Sequence, residues 1–342
     1  MIFRSLGLLG VASGHFALGD AGTSAAILES LQPFPQPAGL NQAGWGLCLF
    51  FWLQTNSGLE ESPESARNTI VLTEPTSVEL PSFKNPPVNE VICGVMFQPL
   101  VGLFAPHLGL LWDTFREEYP NCREADPLVP VLETFEGEES REPDLSVPFL
   151  PRIWFVSKDD NAVIQVQRDR FLHNWRKVRP TDQYPRYGVV KNCFQERCER
   201  FETFLIENQL GSINPIQLEL IYFNHIFIGG GWDSIQEVGK VFPDFLWRTG
   251  QRFLGPPEKL HWRTSFLLPE RRGRLHLSIQ SALRRQDRVP VFILELTVRG
   301  IGPDRTLAGC WPWFDEARNW IVRGFADITG REIQQNTWKR TA

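Results

Sequence analysis

The sequence predicts an α+β fold, an antiparallel sheet packed on amphipathic helices. Three observations carry this. Strand-like segments come in runs instead of alternating one for one with helices, which argues against a doubly wound parallel sheet. Each run is closed by a long segment whose apolar residues recur at helical spacing. Within the runs the links are short polar turns such as Lys158-Asp159-Asp160-Asn161.

Val88 to Phe97 reads as the first strand, with Val91, Cys93, Val95 and Phe97 on one face. A helix follows near 106–119, where Leu108, Leu111, Trp112, Phe115 and Tyr119 form one stripe and Pro120 ends it. Arg152 to Ser157 is a strand, and Ala162 to Trp175 is a long strand or a bent pair. A helix over about 188–209 carries Val190, Phe194, Phe201, Phe204 and Leu205 along one side, with Gly211 placed to stop it.

A second run then opens with Gln217 to Ile228, apolar on both faces and therefore read as central. A weaker helix is expected over about 234–247, then strands near 260–268, 273–284 and 290–299, and a last helix near 313–328. The order β-α-β-β-(β)-α is met twice, compatible with a duplicated unit whose halves are 86–210 and 211–342.

Residues 1–85 differ in composition, holding three basic and seven acidic residues with frequent Pro and Gly and no sustained period. They read as a poorly structured extension or a mis-assigned start; no methionine lies between Met1 and Met96, so a true start in that interval would need a non-ATG codon. The first 26 residues carry a weak signal-peptide-like pattern, which keeps secretion as a minor alternative to a cytoplasmic location. No apolar run reaches the ~18 residues needed to span a bilayer; the longest candidate is Trp45 to Leu53. Residues 117–144 hold ten Asp/Glu against Arg123 and Arg141, so the 120–150 region is expected to be a mobile acidic surface loop.

The net charge of −5, the 42% hydrophobic content and the 22% charged content are those of an ordinary globular chain. Six cysteines without CxxC spacing read as reduced thiols, in keeping with a cytoplasmic protein.

Four segments carry a resemblance. They are Asn85-Pro86-Pro87-Val88-Asn89-Glu90-Val91 with Phe97 and Pro99; Leu111-Trp112 with Glu118-Tyr119-Pro120; Ile164 to Phe171 with Asn174-Trp175-Arg176 and Tyr184-Pro185-Arg186-Tyr187; and Glu219 to Ile226 with Trp338 near the end. In this order they resemble a sporadically distributed prokaryotic family of uncharacterised proteins, over about residues 86–342. The resemblance implies no activity and no catalytic residues.

No phosphate-binding loop, nucleophile elbow, HExxH, dinucleotide fingerprint or EF-hand loop is present. Neither a cofactor nor a metal is expected. The histidines at 173, 225, 261 and 276 lack ligand spacing. Asn174-Trp175 and Asn224-His225 close two strands at comparable points of the two halves. With Glu90 and Tyr222 they form a candidate cleft or partner-binding site, His225 being its acid or base near neutral pH. The opposing reading places the two asparagines on local backbone and Trp175 and His225 at the edge of the core.

Basic residues concentrate in 168–200 and 248–288, with Arg168, Arg170, Arg176, Arg271, Arg272 and Arg274 as the candidate basic surface. The first expectation is a non-enzymatic binding module that engages a protein partner or self-associates through an edge strand. The alternatives are a nucleic-acid-associated protein using the basic stretches, and a small-molecule enzyme with a cleft near Asn174, Asn224 and His225.

Overall fold

The computed structural model describes residues 31–32, 79–135, 150–246 and 250–342. The signal-like stretch and Trp45 to Leu53 lie outside the described residues. In chain order the elements are β1 (Leu31–Gln32), β2 (Val88–Phe97), α1 (Ala105–Phe115), β3 (Asn121–Ala125), β4 (Arg152–Val156), β5 (Ala162–Gln167), β6 (Arg170–Arg176) and α2 (Tyr187–Glu207). They continue with β7 (Pro215–Phe227), a 3₁₀ turn (Ile235–Glu237) running into α3 (Val238–Val241), β8 (His261–Leu267), β9 (Gly273–Arg284), β10 (Pro290–Gly300), α4 (Leu307–Ile328) and α5 (Arg331–Asn336).

All described strands join one antiparallel sheet in the order β9-β10-β7-β2-β6-β5-β4-β3, with β8 and the two-residue β1 both on the outer side of β9. The centre is the β2·β7 pair, where Ile92 faces Ile221. The strand order reads outward the same way on both sides of this pair: the last strand of each half, β6 or β10, lies next to its first, β2 or β7. A long helix closes each half on the same sheet face, α2 against β6 and β2, α4 against β7, β10 and β9. The repetition extends to side chains. Glu90 and Glu219 each stand two residues before the facing isoleucines, Glu90 opposite Arg176 and Glu219 opposite Arg299.

The helix-covered face holds the main core. It is heavily aromatic: Phe171 stacks on Phe201 at 5.1 Å, Phe194 meets Phe314 edge-on at 5.2 Å, and Trp232 lies over Phe292 at 4.2 Å. The other face mixes a small apolar cluster around Ile92, Leu172, Ile221, Phe223 and Ile293 with buried polar side chains.

The 162–175 segment is the bent pair of strands, turning at Arg168-Asp169. The structure differs from the sequence reading in several places. The expected helix over 234–247 shrinks to the 3₁₀ turn and α3, which ends before Pro243. Helix α4 begins at Leu307, capped by Thr306, and runs through Pro312. Helix α2 ends at Glu207, with Gln209 making the left-handed turn (φ 56°) ahead of Gly211.

The extension boundary at 85 is too late. Phe83 is buried against Phe325 and Trp338, and Ser82, Lys84 and Asn85 bond the backbone of the C-terminal residues Thr341, Lys339 and Trp338. The acidic region is not wholly a free loop either. Asn121–Ala125 is an edge strand, and residues 126–135 cross the polar face of the sheet, fastened by two glutamines. Gln167 binds both backbone groups of Leu128 at 2.8 and 3.0 Å; Gln217 binds the amide of Glu133 at 2.8 Å and the carbonyl of Val131 at 2.7 Å.

Candidate functional site

Alternation along the strands divides the predicted cleft between the two faces of the sheet. Glu90, Asn174 and His225 lie on the polar face, in register with residues of the small cluster. Trp175, Tyr222 and Asn224 lie on the helix side. The six side chains therefore do not converge.

On the polar face, a chain of hydrogen bonds crosses four strands. Arg152 Nη1 donates to Gln165 Oε1 at 3.0 Å, Gln165 Nε2 to Asn174 Oδ1 at 2.8 Å, and Asn174 Nδ2 to Glu90 Oε1 at 2.6 Å. All four side chains are buried. Burial pushes the Glu90 carboxyl up to about 7, against the opposing pull of the Asn174 hydrogen bond and the Arg176 charge. In the other half, Arg299 Nε donates to Glu219 Oε1 at 2.8 Å, again fully buried. Nearby, Glu133 accepts from Arg274 at 2.7 Å and pairs with His276 Nε2 at 2.6 Å.

His225 does not fit the predicted acid–base role. Burial, assisted by the Arg284 charge, lowers its pKa to about 4, so the ring is neutral at pH 7. Its Nε2 is buried with no hydrogen-bond partner among the described residues. His173, lowered to about 3 mainly by burial, is likewise neutral, its Nε2 lying 3.3 Å from the Tyr119 hydroxyl.

On the helix side, a cavity of about 300 Å³ lies between the central strands, α4, the start of α2 and the N-terminal segment from Pro81 to Val88. Its floor is Tyr222, Asn224 and Leu296, and much of the remaining wall is apolar, including Phe83, Ile321 and Phe325. The Tyr184 and Tyr222 hydroxyls share a hydrogen bond at 3.0 Å, and burial holds both far into the neutral form, Tyr184 at about 12. Asn224 Nδ2 donates at 3.2 Å to the carbonyl of Leu294, its cross-strand neighbour on β10, and not to the local backbone that the opposing reading gave it. Trp175 packs on Tyr184 at 5.4 Å and so supports the wall from behind. Arg186 donates to the Phe83 carbonyl at 2.8 Å and fastens the N-terminal segment over the cavity.

The sequence reading missed Arg318, which also lines this cavity. The signal was present: Arg318 falls four residues after Phe314 and three before Ile321, a cation on the apolar stripe of a helix. Its guanidinium lies 5.1 Å over the Tyr187 ring, and its buried Nε has no hydrogen-bond partner among the described residues.

The predicted basic surface does not form one face. Arg168 and Arg170 are buried, Arg170 held by Asp169 at 3.2 Å. Arg176 Nε donates to the Asp160 carbonyl at 2.7 Å. Arg272 bridges Glu270 and Glu316, and Arg274 is engaged by Glu133; Arg271 is exposed in a left-handed turn.

Among the described residues no group of side chains is arranged to hold a metal ion, and no helix is long and apolar enough to cross a membrane. No protein-family model, no curated protein and no solved structure matches the chain.

Proposed function

We propose that this chain is a non-enzymatic binding module that takes an extended, acidic segment of a partner protein as an added strand beside β8. The observation that carries the reading is the character of this edge. β8 pairs only with β9 among the described strands. Five large apolar side chains, Leu246, Phe253, Leu254, Phe266 and Leu267, stand exposed in the segment that leads into β8 and forms it, with Phe253 fully so. An open strand edge with exposed apolar side chains is the usual setting for strand addition.

Charge selects the partner. Residues 248–288 hold ten Lys/Arg against three Asp/Glu, so a second copy of the same edge would meet repulsion and an acidic segment attraction. Phosphate recognition is less well supported, because most of the predicted arginines already engage carboxylates or are buried. The separation of Glu90, Asn174 and His225 from Tyr222 and Asn224 removes the support for a single catalytic cleft.

Hydrogen bonding in the β8·β9 ladder identifies a clean test. Leu268 donates to Gly273 and Leu260 accepts from Ser281, so the even-numbered residues turn their backbone groups toward β9 and the odd-numbered ones turn them outward. Ser265→Pro therefore removes an outward donor and spares the ladder. Fluorescence anisotropy with labelled octapeptides alternating Val with Glu, or Val with Lys, reads the binding. The Glu peptide is expected to bind, with affinity falling as salt rises, and Ser265→Pro to weaken it with unchanged thermal stability. Absence of binding by the Glu peptide, equal binding of both peptides, or binding of a mixed single-stranded oligonucleotide alone would overturn the reading.

A further inference from the structure

We infer that the cavity beneath the Pro81–Val88 segment is a binding site for a small carboxylic acid with a planar apolar body, its carboxylate held by Arg318. This site is independent of the β8 edge, which lies three strands away from β7 in the sheet.

Arg318 carries the inference. Arg318 is half-buried, and a buried guanidinium N–H is normally matched by an acceptor, a carboxylate being the strongest. The other arginine of the cavity, Arg186, is engaged by the Phe83 and Lys84 carbonyls. The two acids nearest in sequence are engaged elsewhere: Glu316 by Arg272 at 3.3 Å, and Asp315 by Lys191 at 2.6 Å and the Tyr187 hydroxyl at 3.0 Å. Arg318 instead rests on the Tyr187 ring, and its buried Nε has no hydrogen-bond partner among the described residues. Its place over the aromatic ring restricts the directions in which it presents its donors.

The remaining lining defines the ligand. Phe83, Pro86, Val88, Ile321, Val322 and Phe325 offer an apolar slot suited to a ring or a short chain. Of the neutral Tyr184 and Tyr222 hydroxyls one donates to the other, which leaves a single O–H to donate toward an anion, and among the described residues no carboxylate lines the cavity to repel it. The apolar slot, which inorganic phosphate would leave unfilled, favours a carboxylate with an apolar body over a phosphate. The volume of about 300 Å³ is at the lower end of small-molecule sites and restricts the ligand to a compact one.

Isothermal titration calorimetry on the full chain, with phenylacetate as probe and 2-phenylethanol and inorganic phosphate as controls, tests the inference. Phenylacetate is expected to bind and both controls to bind at least about tenfold more weakly, the loss typical of a missing charged hydrogen bond. Arg318→Gln is expected to weaken phenylacetate by a similar factor and Arg318→Lys by less. Val322→Phe, which fills the slot without touching the charge, is expected to abolish binding, and it carries the test if Arg318→Gln does not fold. No heat with phenylacetate at millimolar concentration, equal binding of 2-phenylethanol, or undiminished binding by folded Arg318→Gln would each overturn the inference.

Discussion

Asn174 donates a 2.6 Å hydrogen bond to Glu90 within the polar face of the sheet, where both side chains are buried. The bond links β6 to β2 through side chains as well as backbone. It also faces a carboxyl that titrates near neutrality, and this gives the first prediction. The folded-state pKa of Glu90, about 7, lies above its ordinary value near 4.5. Between these values the folded state holds the extra proton, so stability falls as pH rises through that window and stays lower above it. Glu90→Gln keeps an acceptor for Asn174 and removes the titration. Urea denaturation from pH 4 to 9 should show the fall in the parent and its loss in the variant. The variant should be the more stable of the two at pH 8, by about 3 kcal/mol at most.

Glu219 and Arg299 make a different case, because their charges are paired at 2.8 Å with side-chain exposures of 5% and 3%. Removing Arg299 strands the Glu219 carboxylate in the sheet, and removing Glu219 takes from Arg299 its 2.8 Å carboxylate. Arg299→Met or Glu219→Gln alone should cost about 3–5 kcal/mol, whereas replacing both with apolar residues should cost much less. A double-mutant cycle in urea measures the difference; additive losses would show that the pair is not coupled.

The Glu133 clamp predicts acid lability. Burial alone would raise this carboxyl, but the hydrogen bonds from His276 and Arg274 outweigh it, and its pKa is lowered. The clamp therefore contributes stability above the ordinary carboxylate value and loses it as pH falls through the lowered one. Glu133→Gln should flatten this acid limb. Hydrogen exchange should show residues 126–135 loosening from the sheet in the variant at pH 7, with β2 and β7 still protected.

Gly300 is a steric prediction. A Cβ there would lie 2.0 Å from the Arg272 carbonyl oxygen, which accepts hydrogen bonds from the Ile301 amide at 3.1 Å and Trp313 Nε1 at 3.2 Å. Gly300→Ala should cost about 1–3 kcal/mol or more. A shift in tryptophan emission would report the displaced Trp313.

Deep in the main core, Phe201→Ala should cost about 3–5 kcal/mol, because Phe201 stacks on Phe171 at 5.1 Å and is fully buried. Thermal unfolding followed by circular dichroism checks this.

Much of the architecture could be read from spacing. β2 occupies the segment the alternation of Val91, Cys93, Val95 and Phe97 marks, and β9 and β10 follow their patterns equally closely. β3 could not be read, because Asn-Cys-Arg-Glu-Ala is an exposed edge with no apolar face to generate a period. The path of residues 126–135 was hidden for a related reason: two glutamine side chains distant in sequence hold their backbone. The candidate site was less legible, although period two alone separates Asn174 from Trp175 and Asn224 from His225. Which of these faces carries a cavity depends on what α4 and the Phe83 segment lay over it, and local pattern does not encode that.

The pairing of β2 with β7 at the middle of the sheet also bears on biogenesis. Each half offers its longest hydrogen-bonding edge to the other. During synthesis, β2 emerges with that edge bare and waits for β7, on the order of ten seconds at common elongation rates. A chain truncated near residue 210 would keep that edge bare permanently. Such a fragment should seek a substitute strand in a second fragment or a chaperone, and mixing it with the complementary half should restore what the ribosome delivers in sequence.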